Sequence, residues 1–285
     1  MSIVYLNGNF LPMQEAHISP MDRGFLFGDG IYEVIPAYAG RMVGFAPHLA
    51  RMRSGLQALE INCPLNETDW RAICEQLIER NGGGDLALYL HVSRGADTRR
   101  NHAYPTNISP TLYAFAYEIP PDLPAEKATA TAYAVSTAED LRWRRCNIKS
   151  TALLGNVMHL QQGHAAGHAE TILYNSQGEL TEAAACNVYV VKNGVVATPP
   201  LDHQLLPGIT RYILLDVLRK DGSIAVEERN VSLAELRAAD EVWLSSSSKG
   251  IAPVVQVDGE PVGNGEVGDV WLAAQTLYAR HKFDY

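Results

Sequence analysis

A proline-rich segment at residues 119–124 divides the chain into two stretches, each long enough to fold on its own. Its sequence is Ile-Pro-Pro-Asp-Leu-Pro, and prolines at this density favour an extended linker over a helix or a strand. With 285 residues the chain has room for two ordinary domains. We therefore predict an N-terminal domain over residues 1–120, an interdomain linker over 121–127 and a C-terminal domain over 128–285.

Strand-like and helix-like patterns alternate along both stretches. Apolar or alternating runs at five places predict strands, at residues 86–92, 111–117, 171–174, 188–191 and 241–244. Apolar residues at helical spacing predict helices that begin near Pro47 and Thr68. The mixture indicates the α/β fold class, with an α+β N-terminal domain and a C-terminal domain that has a mostly β core and helices.

The charge balance argues against two classes of partner. The net charge is −9 and the isoelectric point is near 5.5, which is unlike a nucleic-acid-binding surface. The basic run of Arg142, Arg144 and Arg145 is too short to reverse that, and we interpret it as a solvated or ion-paired strand edge. No apolar run reaches the length that spans a membrane. We expect neither a nucleic-acid partner nor a membrane span.

The cysteines point to a reducing compartment. All four lack a Cys-x-x-Cys partner and histidines at metal-ligand spacing: Cys63, Cys74, Cys146 and Cys186. Neither a zinc site nor a disulfide framework is indicated, so we expect no metal in the functional site. Residues 1–12 look like a short strand and turn rather than an export signal. The sequence therefore predicts a soluble, cytoplasmic protein.

One lysine stands out because it lies between two patterned segments. Lys149 belongs to Asn-Ile-Lys-Ser, which follows an alternating segment at residues 128–135 and precedes an apolar-periodic one. A lysine held at such a junction and partly desolvated can act as the neutral amine nucleophile that Schiff-base chemistry requires. The alternative is a salt-bridged lysine that opens a helix, and position alone leaves both open.

Candidate anion-binding groups occur in both halves of the chain. Arg100 and His102 lie two apart in an extended loop, so a charged fork and an imidazole could grip one carboxylate; a loop salt bridge is the alternative. Arg51 lies beside an apolar helical stripe and either points inward to an anion or flanks the core. Ile209 and Thr210 begin a predicted helix, whose free N–H groups suit a phosphate.

A carboxylate and a hydroxyl-rich turn complete the set. Glu182 stands among small uncharged side chains ahead of a strand, and a carboxylate so placed needs a cationic partner from elsewhere in the chain. Four serines at residues 245–248, followed by Lys249, form a turn that could donate to a second side of the same anion. An amine, a carboxylate and a phosphate cup are together the parts of a pyridoxal-phosphate site.

With these parts in place, the chain resembles the fold-type IV pyridoxal-phosphate aminotransferases, which include D-amino-acid aminotransferase, branched-chain aminotransferase and aminodeoxychorismate lyase. The resemblance covers essentially the whole length and is specific as a set. In chain order the motifs are DRGFLFGDGIYEV, PHLARM with Arg51, NIKS with Lys149, LTE with Glu182, LPGITR, and the serine-rich turn ahead of residues 251–254.

The resemblance implies a role for each matching residue. Lys149 would carry pyridoxal 5'-phosphate as a Schiff base and, once released, move a proton between substrate and cofactor. Glu182 would keep the pyridine nitrogen protonated. The phosphate would be bound by Arg51, Ile209, Thr210 and Ser247. Ser247 stands where relatives often have threonine, which preserves the hydroxyl, whereas residues 183–186 replace serines with three alanines and a cysteine.

Within the family, the chain is most similar to the D-amino-acid enzymes because of Tyr32, Arg100 and His102. In those enzymes an Arg-x-His pair reaches in from the partner subunit and binds the substrate carboxylate together with a tyrosine. Ser248 is a further substrate-binding candidate. The loop that carries Arg100 is a residue longer than the usual spacing, which leaves Arg99 as the alternative arginine.

The resemblance also implies a reaction and an assembly. The reaction is ping-pong transamination between a D-amino acid, such as D-alanine or D-glutamate, and a 2-oxo acid, such as 2-oxoglutarate or pyruvate, through a pyridoxamine form. The assembly is a homodimer in which Arg100 and His102 act across the interface. The C-terminal domain would be barrel-like, with the cofactor between the two domains. A branched-chain L-amino-acid aminotransferase or a lyase is the enzyme alternative, and a non-catalytic cofactor-binding protein is the other.

Overall fold

The computed structural model describes residues 2–122 and 124–285, which form two compact units. The first unit comprises the residues up to Asp122 together with Ile148–Leu153 and Tyr285. The second comprises the rest of the described chain. Met1 of the predicted N-terminal domain and Leu123 of the predicted linker lie outside the described residues. The domain limits drawn from the sequence stay a prediction.

A six-stranded antiparallel sheet forms the centre of the first unit, in the order β2-β1-β6-β5-β3-β4. Its strands are β1 (Ile3–Leu6), β2 (Asn9–Pro12), β3 (Gly30–Tyr38), β4 (Arg41–Met42), β5 (Leu86–Ser93) and β6 (Thr111–Glu118). Three helices accompany it: α1 (Arg23–Phe27), α2 (Phe45–Ala58) and α3 (Glu67–Arg80). A capping box of Asn66 and Asp69 fixes the start of α3.

The two faces of this sheet differ because side chains alternate along each strand. Ile31 and Leu90 belong to the face that forms the core with α2 and α3. The opposite face carries a row of aromatic rings in mutual contact: Tyr32, Tyr89, Tyr113, Phe115 and Tyr117. Glu33 lies two residues after Ile31 on β3, so its side chain points to the same face of the sheet, towards α2.

A nine-stranded mixed sheet forms the centre of the second unit. Its strands are β7 (Tyr133–Glu139), β8 (Glu170–Tyr174), β9 (Leu180–Ala183), β10 (Asn187–Lys192), β11 (Val195–Thr198), β12 (Val226–Glu228), β13 (Glu241–Ser246), β14 (Gly250–Val257) and β15 (Glu260–Pro261). Its helices are α4 (Leu154–Ala165), α5 (Ile209–Asp221), α6 (Leu233–Arg237) and α7 (Asp269–His281). The order is β12-β11-β10-β13-β14-β7-β8-β9, and β15 pairs with β14.

This second sheet curls back on itself. Four strands separate β9 from β10 in the sheet order, yet the Ala183 N–H donates to the Cys186 carbonyl at 2.7 Å across the turn that joins them. At the same edge, β8 begins at Glu170 and β13 ends beside Asn187, which pairs with Ser245. The barrel-like C-terminal core expected from the sequence is confirmed. Its curled edge gathers several of the candidate residues.

The strands and helices predicted from the sequence are present, with modest shifts at their ends. α2 begins at Phe45 rather than at Pro47, and within the alternating segment at residues 128–135 a strand begins only at Tyr133. Among the helices of the described residues, none combines the length and apolar character needed to cross a membrane.

Candidate active site

Lys149 lies on a short extended segment that joins the first unit by pairing with β3. The Tyr32 N–H donates to the Lys149 carbonyl at 3.1 Å, and the Thr151 N–H donates to the Gly30 carbonyl at 2.9 Å. These bonds place the Lys149 ammonium nitrogen 4.1 Å from the centroid of the Tyr32 ring. Tyr32 in turn stacks on Tyr89 at 5.6 Å. The lysine is held against an aromatic surface, which limits the directions in which its amine can point.

Glycine is required where this segment meets the loop ahead of β3. Gly28 has a positive φ of 67° and ends α1, and a Cβ placed on it would lie 2.8 Å from the Cα of Ala152. Both the backbone conformation and the close approach exclude a side chain there. The glycines that the sequence shows in this stretch therefore serve to let the Lys149 segment pack closely.

Arg51 points inward from α2 and meets a buried carboxylate. Its Nε and Nη2 atoms donate to Glu33 at 2.8 and 2.6 Å, and His48 Nδ1 lies 2.7 Å from the same carboxylate. Glu33 is fully buried. Burial alone would raise the pKa of Glu33, but the charge and hydrogen bonds of Arg51 and His48 lower it to about 2. A bidentate pair of this kind fixes the orientation of the Arg51 guanidinium.

The loop that carries Arg100 and His102 is anchored by a buried arginine. Arg23 donates to the carbonyls of Asn101 and His102 at 2.5 and 3.2 Å, and it is held in place by Asp29 at 2.8 Å. The anchored loop places the His102 ring 5.3 Å and the Arg100 guanidinium carbon 5.0 Å from the ring centroid of Phe27 in α1. Arg100 and His102 therefore flank one aromatic ring, and both are exposed.

Glu182 is buried at the end of β9, and the cationic partner that its position demands is Arg142. The guanidinium Nη1 donates to Glu182 at 2.5 Å, and the Leu206 N–H donates to the other carboxylate oxygen at 3.0 Å. Burial raises the pKa of Glu182 to about 7, and the charge of Arg142 opposes the rise. Asn187 lies 3.5 Å from the same carboxylate and donates to the Leu206 carbonyl at 2.9 Å.

Arg142 itself is held from the opposite side by Asp140. Two of its nitrogens donate to that carboxylate at 3.0 and 2.7 Å, and only 2% of the Arg142 side chain is exposed. The sequence predicts a solvated or ion-paired strand edge at this arginine run. Arg142 is ion-paired, but it lies in the loop after β7 and is buried rather than solvated. Its partner Glu182 lies 40 residues further along the chain, so sequence spacing gave no sign of the pair.

The start of α5 is capped without a side chain. Gly208 is its N-cap residue and makes no side-chain hydrogen bond to the first turn, which begins with Ile209 and Thr210. A Cβ on Gly208 would collide with the side-chain oxygen of Asn187. The first N–H groups of a helix have no partner within the helix and carry partial positive charge. They lie only a few positions beyond Leu206, which contacts Glu182.

Ser247 and Ser248 lie in the turn between β13 and β14. Ser246 Oγ organises that turn, since it accepts the Lys249 N–H at 3.2 Å and lies 3.5 Å from Ser248 Oγ. The turn belongs to the curled edge of the second sheet, because Asn187 pairs with Ser245.

The sequence-predicted residues fall into clusters within each unit. The first unit brings Lys149 to Tyr32 and groups Arg100 with His102. The second unit contains Glu182, the start of α5 and the serine turn. Arg51 belongs to the first unit, where it contacts Glu33.

Sequence reasoning missed three residues of these clusters, namely Glu33, His48 and Arg142. A signal existed for Glu33, because it alternates in β3 with Ile31 and Ile35, which are core residues. A charged residue at a strand position that faces the hydrophobic core needs a partner of opposite charge or a hydrogen-bond partner. No comparable signal marked His48 or Arg142.

Comparison with known proteins gives a consistent family likeness. The amino-transferase class IV family model matches residues 30–257. The D-alanine aminotransferase of Listeria monocytogenes serotype 1/2a (strain 10403S) is 35% identical over 269 residues, which cover 94% of this chain and 91% of the relative. That of Staphylococcus epidermidis (strain ATCC 12228 / FDA PCI 1200) is 38% identical over 286 residues, covering 99% and 98%.

Solved structures add a likeness of fold. The branched-chain amino acid aminotransferase from Escherichia coli superposes with a TM-score of 0.85 at 23% identity, covering 96% of this chain and 92% of that one. A hypothetical aminotransferase from Mycobacterium tuberculosis in its PLP-bound form gives a TM-score of 0.84 at 20% identity, covering 99% of each chain. At these identities the likeness shows the shared fold alone.

Proposed function

Because this chain belongs to the amino-transferase class IV family, we propose that it is a pyridoxal-phosphate-dependent D-amino-acid aminotransferase. It would exchange an amino group between a D-amino acid, such as D-alanine or D-glutamate, and a 2-oxo acid, such as 2-oxoglutarate or pyruvate, by a ping-pong mechanism. The observation that carries this proposal is the identity of 35% and 38% to D-alanine aminotransferases over almost the full length.

The donor groups on the chain fit pyridoxal 5'-phosphate. This cofactor, when bound, supplies an electron sink for the bonds at the substrate α-carbon. Lys149 offers the amine that would hold its carbonyl carbon and afterwards take up and return the α-proton. Glu182, whose charged form Arg142 stabilises, offers a buried acceptor that would hold a proton at the pyridine nitrogen. These assignments rest on the chemistry of the residues and their surroundings.

We infer that the phosphate group is bound by Arg51, Ile209, Thr210 and Ser247. The support differs between them. The start of α5 offers the N–H groups of Ile209 and Thr210, and Ser247 offers a hydroxyl in an ordered turn. Arg51 would contribute charge, and the Glu33 carboxylate holds its guanidinium in one orientation while balancing part of that charge.

For the substrate carboxylate we infer Tyr32, Arg100 and His102, with Ser248 as a further contact. Arg100 and His102 flank Phe27 on an anchored loop, which favours Arg100 over Arg99 as the functional arginine. Their exposure leaves both side chains able to reach a second subunit. Binding the carboxylate on one fixed side selects which α-hydrogen meets the lysine, and this is the physical basis of preference for one enantiomer.

A homodimer is the assembly that we propose, with Arg100 and His102 acting across its interface. An apolar surface on the second unit supports association. It comprises exposed residues of α4 and of the loop on which α4 packs: Leu141, Trp143, Leu154, Val157 and Met158. The loop and helix are adjacent because the Leu141 N–H donates to His159 at 3.2 Å. Apolar patches of this kind usually mark protein interfaces.

A cytoplasmic location is consistent with the cysteines. All four are free thiols, and three of them are buried. We propose this location on the chemistry of the thiols, since buried reduced cysteines persist where the medium is reducing.

The direct test supplies the purified protein with pyridoxal 5'-phosphate, D-alanine and 2-oxoglutarate. We expect pyruvate and D-glutamate in equal amounts, identified by chiral chromatography, and no product with Lys149→Ala. L-Leucine in place of D-alanine is the matched comparison. Consumption of L-leucine with D-alanine untouched would overturn the proposal in favour of a branched-chain enzyme, and turnover of neither amino acid by protein that binds the cofactor would favour the lyase alternative.

A further inference from the structure

The Glu182 carboxylate is the end of a chain of charged groups that lies entirely within the second unit. Asp140, Arg142 and Glu182 follow one another in it: Arg142 Nη2 donates to Asp140 at 2.7 Å, and Arg142 Nη1 donates to Glu182 at 2.5 Å. The chain closes on itself, because Thr181, the residue before Glu182 in β9, donates its hydroxyl to Asp140 at 2.8 Å. Both carboxylates are therefore bound to one guanidinium and tied to one strand.

Arg142 is fixed on several sides. Its side chain is 2% exposed, and Nη2 also donates to the Gln204 carbonyl at 3.1 Å. Helix α4 packs so closely on it that a Cβ placed on Gly155 would lie 3.2 Å from Arg142 Cγ. The guanidinium thus presents one N–H group to Glu182, whose other oxygen accepts the Leu206 N–H at 3.0 Å.

The two charged neighbours act on Glu182 in opposite directions. Burial raises the pKa of Glu182 to about 7, the charge and hydrogen bond of Arg142 oppose the rise, and the charge of Asp140 adds to it. Burial would also raise the pKa of Asp140, but the hydrogen bonds and charge of Arg142 lower it below its ordinary value, so Asp140 is charged at neutral pH. The Cys146 thiol adds no charge there, because burial raises its pKa to about 11. The protonation of Glu182 therefore depends on the balance between Arg142 and Asp140.

We propose that Arg142 and Asp140 are positioning residues of the reaction: Arg142 holds Glu182 as the charged acceptor for the proton of the cofactor's pyridine nitrogen, and Asp140 limits how far Arg142 weakens that acceptor. This inference rests on the proposed function. Without its cation, Glu182 would take the proton itself and leave the ring nitrogen neutral, which weakens the electron sink that the cofactor supplies. With a guanidinium that Asp140 did not share, Glu182 would be a poorer proton acceptor. Both residues act through Glu182.

Isotope-edited infrared spectroscopy of the full-length apoenzyme measures the protonation of Glu182. Glutamate carboxyl groups are labelled with ¹³C, and at each pH the spectrum of the same protein carrying Glu182→Gln is subtracted. We expect the pKa of Glu182 to fall below its wild-type value of about 7 in Asp140→Asn and to rise above it in Arg142→Met. The control Arg219→Met, which removes an exposed arginine of α5, leaves it unchanged.

Opposite shifts are what distinguish a balance of charges from a merely structural role, because loosening the site would move the pKa the same way in both variants. The double variant Arg142→Met with Asp140→Asn replaces Arg142→Met if that protein does not fold. It should still show a raised pKa, since Arg142 affects Glu182 more than Asp140 does. Any other pattern, such as a shift in one direction in all variants, would refute the proposal.

A measurement on the holoenzyme separates this proposal from the function on which it rests. When the cofactor is labelled with ¹⁵N in its pyridine ring, the NMR shift reports whether that nitrogen carries a proton. We expect a protonated nitrogen in the wild type and in Asp140→Asn, and a shift towards the neutral ring in Glu182→Gln and in the variants that lack Arg142. A protonated nitrogen in Glu182→Gln would overturn the role of Glu182 in the proposed function. A neutral ring in Glu182→Gln with a fully protonated one in the variants that lack Arg142 would refute this inference alone.

Discussion

Replacing Arg142 with methionine is the perturbation whose size follows most directly from the structure. The guanidinium donates to Asp140, to Glu182 and to the Gln204 carbonyl, and its side chain is 2% exposed. Methionine fills similar volume but leaves the Asp140 carboxylate without its cation, while Glu182, whose pKa burial already raises to about 7, takes up a proton. Removing one partner of a buried pair costs about 3–5 kcal/mol, because the remaining charge is not solvated. We expect a loss of that size in the free energy of unfolding at neutral pH.

The assay is urea denaturation followed by far-ultraviolet circular dichroism, at one protein concentration because an oligomer's apparent stability depends on it. Arg219→Met is the control, since Arg219 makes an exposed ion pair with Glu228 and its loss costs at most about 1 kcal/mol. The double variant Arg142→Met with Asp140→Asn removes the orphaned charge and recovers part of the loss. A cost for Arg142→Met no greater than that of the control would refute this reasoning.

Two further predictions concern the first unit. The folded-state pKa of Glu33 is about 2, against an ordinary value of 4.5. Ionised Glu33 therefore adds up to about 3 kcal/mol to the free energy of unfolding above pH 4.5, and this contribution is lost as the pH falls towards 2. Between about pH 2 and 6, the free energy of unfolding should depend less on pH in Glu33→Gln than in the wild type. The same pH dependence in both proteins would contradict the role given to Arg51 and His48. Arg100→Ala should raise KM for D-alanine about tenfold or more while the visible band of the bound cofactor stays, whereas Arg99→Ala should change KM little. The reverse pattern would assign the carboxylate to Arg99.

The local elements of this fold are readable from sequence because they depend on periodicity and short motifs. Strands β5 and β6 lie within a residue of their predicted limits, because their apolar and alternating runs mark them. The segment around Lys149 has too few residues to show a period, so its pairing with β3 could not be predicted. Its position is set by bonds to Gly30 and Tyr32, which lie far earlier in the chain.

The candidate site was predictable as a list of groups but not as a set of contacts. The sequence shows that Glu182 needs a cation, because a carboxylate among small apolar side chains is otherwise too costly to bury. It cannot select Arg142 from the neighbouring arginines, since the choice depends on how the curled sheet brings β9 to the loop after β7. The same holds for Glu33 and Arg51, which meet only when α2 packs on the core face of the first sheet.

One absorption spectrum distinguishes a cofactor-dependent transaminase selective for D-amino acids from the alternatives. The purified protein is saturated with pyridoxal 5'-phosphate, and its visible absorption is recorded before and after D-alanine or L-leucine is added without any 2-oxo acid. We expect D-alanine alone to replace the visible band with the absorption of the pyridoxamine form of the cofactor, and L-leucine to leave the band unchanged. Conversion by L-leucine but not by D-alanine, or the absence of any visible band, would contradict the account.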